Sequence, residues 1–122
     1  MQTNPSIATF SYENLFAGNV QPKVTGAEVL AKGQNLKRGS VVGITNSGEL
    51  KLVNKKATDG SNEVYAVLGQ DCDATDAAQT TTVYYGGEFN QNVVIVSEGE
   101  DPLDYKLSGR KAGIFFKPTV RV

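Results

Sequence analysis

Residues 33–53 read GQNLKRGSVVGITNSGELKLV: four glycines in twenty-one residues, set between short apolar runs, and no residue type that commonly does chemistry. The decisive piece is NSG at 46–48, between SVVGIT (40–45) and ELKLV (49–53). Asn46 and Gly48 tolerate the positive φ of a tight reversal, so the stretch predicts two short antiparallel strands joined as a hairpin. The same grammar extends outward. AEVLA (27–31), VYAVLG (64–69), TTTVYY (80–85) and NVVIV (92–96) read as further strands, with TDGSN (58–62) and YYGGEF (84–89) as turns. Short strands punctuated by glycine, with no long amphipathic helix between them, predict a compact, mainly β sandwich or barrel.

The chain continues beyond this zone in two ways. EDPLDYKLSGRKAG (100–113) predicts one short helix, with Asp101 as N-cap, Pro102 at the first helical position, Asp104 in the first turn and Arg110 and Lys111 near the end. Gly109 weakens it by roughly 1 kcal/mol relative to alanine. GIFFKPTVRV (113–122) then reads as a closing strand that Pro118 ends or breaks. On the other side, residues 1–22 carry one charge, Glu13, and apolar residues in no sustained period. This predicts an N-terminal arm that packs on its own domain or on a partner, and a division into an arm, 1–22, and a β-rich domain, 23–122.

A chain of 122 residues has the size of one domain and buries enough surface to fold without staples or metals. The lone Cys72 forms no intramolecular disulfide and reads as a small buried hydrophobe. No apolar run reaches the ~18 residues of a membrane span, and the start lacks the basic and apolar blocks of a signal peptide, so a soluble, unprocessed chain is expected with no membrane partner. The net charge of −1 argues against nucleic acid as a partner. Charge is segregated nonetheless. Residues 1–56 hold seven bases and three acids, 57–105 ten acids and no base, and 106–122 five bases and no acid. Such blocks bring oppositely charged elements together within the fold or form a charged seam between copies.

Catalytic chemistry finds little support. Without histidine, Ser-His-Asp and Cys-His arrangements and Cys/His zinc sites are excluded by count. DCDATD (71–76) is spaced like a calcium loop, but an EF-hand wants glycine where Asp76 stands and glutamate where Thr82 stands, so it reads as an exposed acidic turn. Glu88 and Asp101 are carboxylates that nothing in the sequence brings to one cleft, and there is no glycine-rich phosphate loop. The expectation is a protein selected for shape and surface: not an enzyme, with no cofactor and no metal.

In chain order, LFAG (15–18), GQNLKRGSVVG (33–43), SGEL (47–50), TDGS (58–61), AVLGQDCDAT (66–75), VYYGGEFN (83–90) and LSGRKAGIFFK (107–117) resemble the bacteriophage head decoration proteins of the lambda type. Cys72 departs from the aliphatic residue the family pattern leads one to expect. The resemblance implies a β-clip-like domain that forms a homotrimer, binds the major capsid protein and stabilises the outer surface of an icosahedral head. It also implies synthesis in the host cytoplasm and an arm that orders on the capsid by adding a strand, for which Ile7, Phe10, Tyr12, Leu15 and Phe16 are the candidate capsid-binding residues. A second reading is a lipoyl- or biotinyl-type carrier domain, which AKGQNLKRGSVVGI (31–44) partly echoes. A carrier needs a modifiable lysine at a hairpin tip, whereas here the tip is NSG and Lys51 falls inside the next strand. A sugar-binding module is disfavoured by the absence of tryptophan.

Overall fold

The NSG reversal forms as its chemistry predicts. In the computed structural model, which describes residues 15–17 and 24–118, strands Val41–Ile44 and Leu50–Leu52 pair antiparallel with Ile44 opposite Leu50. Between them the Thr45 N–H donates to the Glu49 carbonyl and the Gly48 N–H to the Thr45 carbonyl. Gly48 has φ +89° with open space around it, so the turn needs its backbone freedom.

In chain order the elements are β1 (Val24–Leu30), β2 (Asn35–Leu36), β3 (Val41–Ile44), β4 (Leu50–Leu52), β5 (Ala66–Leu68), β6 (Cys72–Asp73) and β7 (Gln79–Asn90). A 3₁₀ turn (Pro102–Tyr105), helix α1 (Lys106–Ala112) and β8 (Ile114–Lys117) follow. Strands β1, β4, β3, β5 and β7 are neighbours in that order, and β7 pairs back onto β1 antiparallel, from Val24 opposite Gly86 to Leu30 opposite Gln79. The sheet therefore closes into a small barrel, which leaves few free edges. β8 lies parallel to the last four residues of β7, and β2 pairs with β6 as a separate ribbon.

Alternation along the strands divides the core. Leu30, Val42, Leu50, Ala66, Leu68 and Val83 come one or two from each barrel strand and fill its interior with Ala74. Their neighbours Val41 and Val67 point outward, as period two demands, into a second cluster with Phe89, Val94, Tyr105, Ile114 and Phe116. β3 and β5 are thus covered on both faces. Gly43 owes its identity to this crowding, because a Cβ there would lie 2.6 Å from the Ser61 Cα and the Glu63 carbonyl oxygen of the loop folded across it.

The helix prediction holds in detail. Asp101 accepts from the Leu103 N–H while Asp104 accepts from the Asp101 N–H, a reciprocal capping box, and Gly113 ends α1 at φ +83°. The first turn is 3₁₀ rather than α.

Two expectations are corrected. NVVIV is not a strand: only Ile95 makes an isolated bridge, to Ser40, and the segment is a loop that buries Val94 in the outer cluster. YYGGEF is not a turn: it lies inside the continuous β7, where Gly87, at φ +136°, marks the change of partners from β1 and β5 to β8. Cys72 is half-buried and packs against the interior cluster.

Candidate functional site

The described part of the N-terminal segment is short and firmly held. The Asn90 N–H donates to the Leu15 carbonyl at 2.6 Å and the Ala17 N–H to the Glu88 carbonyl at 2.9 Å, which sets Phe16 antiparallel to Phe89 of β7. Leu15 is 3% exposed and meets the outer core beside Gly39. The Phe16 ring packs edge-on against Tyr84 at 5.0 Å and tilted against Phe89 at 5.1 Å. Of the candidate capsid-binding residues, Leu15 and Phe16 are therefore placed against the domain's own core, while Ile7, Phe10 and Tyr12 lie outside the described residues.

Polar groups reinforce this seam. The Arg38 guanidinium donates to the Gly69 carbonyl and the Tyr84 hydroxyl and sits 5.4 Å from the Tyr84 ring centre. Beside Phe89, the Glu88 carboxylate is buried and accepts from Lys117 at 3.0 Å. On β1, Glu28 accepts hydrogen bonds from Tyr65, at 2.9 Å, and from Tyr85. The bond to Glu28, followed by burial, pushes the Tyr85 hydroxyl up to about 12, and burial first, then Glu28, raises Tyr65. Sequence reading missed both the Phe16 cradle and this trio, since each joins residues from distant strands.

The charge blocks meet in part within the fold. Lys37 pairs with Asp71, Lys51 with Asp59, Lys55 with Asp104 and Lys117 with Glu88, and every pair joins a base of the flanks to an acid of the middle. The Ser61 hydroxyl and N–H, with Lys51 behind them, hold Asp59 down at about 2. Thr75 likewise lowers Asp73, and the Asp101 N–H, then Lys55, lowers Asp104. These carboxylates act as turn and cap acceptors. Glu88 and Asp101 have separate employments, one under Lys117 and one capping the helix.

Hollows on the described surface are open, of about 330 to 470 Å³, such as the one bounded by Lys32, Thr45, Ser47, Glu49 and Asp59. Among the described residues no cluster has the makings of a metal site, and no helix is long and apolar enough to cross a membrane. The hairpin tip is Asn46–Ser47–Gly48, and Lys51 sits in β4 paired with Asp59, so no lysine is presented there as a carrier requires.

The described residues form a small closed β barrel with an N-terminal segment, Leu15–Ala17, stitched along one strand. Residues 8–112 match the family described as bacteriophage lambda head decoration protein D, and the chain belongs to that family. Membership makes it a decoration protein of the phage head, associated with the capsid of the virion, in a family of structural capsid proteins. No curated protein sequence matches the chain.

Proposed function

We propose that the chain binds as a trimer to the major capsid protein on the outer surface of an icosahedral head, after synthesis in the host cytoplasm, and stabilises the head there. The observation that carries this reading is the seam of Leu15–Ala17 on β7. It seats Leu15 and Phe16 on the domain, and the sequence before them is nearly uncharged and partly apolar, which supports reading it as an arm with Ile7, Phe10 and Tyr12 as anchors. Such a segment binds well by adding a strand to an exposed sheet edge, where main-chain hydrogen bonds give affinity and alternate side chains give fit. Leu15 and Phe16 then act as the root of the arm. A ligand that binds only the intact head stabilises it by mass action.

The test is to mix the full chain with expanded capsids lacking decoration. Added density at the threefold and quasi-threefold positions, with a rise in the temperature at which the capsids fail, is the expected result. Identical failure temperatures at full occupancy overturn the stabilising role, and absent density overturns the binding.

A further inference from the structure

The helical run 102–112 buries one side and leaves the other bare. Tyr105 and Gly109 are buried, Gly109 against Ile114 and Phe116. The outward stripe carries Leu103, 46% exposed, and Leu107, 66% exposed, interleaved at spacings of three and four with Lys106 and Arg110. Lys106, Arg110 and Lys111 have no ion pair among the described residues. The acids nearest in the adjoining groove are already engaged, Glu63 by Ser108 and Asp104 by Lys55.

At the other end of the molecule the pattern is reversed. β7 starts at Gln79, directly after the exposed stretch Asp76–Ala77–Ala78, whose acid has no ion pair among the described residues. It ends at Asn90, beside β8 and the helix. From Gln79 to Gly87, whose N–H donates to the Gly113 carbonyl at the end of α1, β7 spans roughly 26 Å at ~3.3 Å per residue, which sets Asp76 apart from the helix bases of the same chain.

We propose that the stripe Leu103, Lys106, Leu107 and Arg110 is one half of a contact between copies of this chain, and that the second copy presents its Asp76–Ala78 end to it. The inference rests on the trimer reading above and names its surface. A closed ring of three identical subunits is built from head-to-tail contacts in which two different patches meet, so each subunit must carry complementary patches at separate places. An apolar and basic stripe at one end of β7, facing a small-residue and acidic surface from the other end of a neighbour, meets that requirement. The leucines supply the buried area, and the charges choose partner and register.

The experiment is sedimentation equilibrium of the full chain at micromolar concentration, repeated by chemical cross-linking on decorated capsids. The unsubstituted chain is expected as a trimer. Leu107→Asp, at an exposed site, is expected as a folded monomer with an unchanged far-ultraviolet spectrum. Arg110→Glu weakens the trimer, and adding Asp76→Lys to it restores association. Variants that remain as trimeric as the unsubstituted chain overturn this surface while leaving the trimer standing. A double variant that stays dissociated overturns the pairing of the helix with the acidic end. An unsubstituted chain that is monomeric both in solution and on capsids overturns the trimer reading, and this inference with it.

Discussion

Glu28 is a carboxylate held by two phenols, Tyr65 and Tyr85. Tyr65 comes from the entry to β5 and Tyr85 from β7, so the two hydrogen bonds tie β1 to separate parts of the barrel. Both hydroxyls titrate above the usual tyrosine range, Tyr85 at about 12. A folded-state pKa raised above its unfolded value of 10.0 contributes stability that is complete below pH 10 and is lost as pH rises through the folded value. The barrel is therefore expected to lose stability between about pH 10 and 12, as tyrosinate forms beside the carboxylate. Glu28→Gln removes the leading cause of the Tyr85 shift, and its tyrosine titration, followed by ultraviolet absorbance, moves toward the ordinary value. A variant with the unsubstituted titration curve would show that Glu28 does not set it.

Among the elements, the helical run 102–112 displays most plainly what sequence can deliver. Its start depends on the reciprocal bonds of Asp101 and Asp104, and Asp101→Ala removes an acceptor from the first turn. A lost N-cap costs ~1 kcal/mol, so the melting temperature is expected to fall by roughly 4–8 °C, with the far-ultraviolet spectrum otherwise native. An unchanged midpoint would mean that tertiary packing of Tyr105 and Gly109 alone holds the element. Capping, hairpin turns and short apolar strands are local chemistry, and they were legible. The failures were places where one residue type serves two purposes. Gly86 and Gly87 looked like turn residues because glycine also marks reversals, yet here they allow a long strand to change partners. NVVIV looked like a strand because burial produces the same apolar run in a loop laid over a barrel face as in a strand within it. The seat of Phe16 was illegible for a different reason: Tyr84 and Phe89 meet it only after the barrel closes.

At the scale of the whole molecule, the seam on β7 makes Leu15–Ala17 part of the domain's own packing. Leu15 belongs to the outer core, and truncating a buried leucine costs about 2–5 kcal/mol, so Leu15→Ala is expected to lower the domain's stability by an amount in that range. Residues 1–14 stand before this root. Their deletion keeps Leu15, Phe16 and both backbone bonds to β7, and with them the Tyr84 and Phe89 packing. The truncated chain is expected to melt like the full chain and to keep its oligomeric state, because the seam, the barrel and the helix stripe are all retained. Its binding to undecorated capsids is expected to fall to a small fraction, since Ile7, Phe10 and Tyr12 and the backbone that would add a strand are gone. Co-sedimentation with capsids and a thermal melt on the same sample measure both quantities. Undiminished capsid binding would move the attachment surface onto the barrel, and a lowered melting temperature would make residues 1–14 part of the domain's own packing.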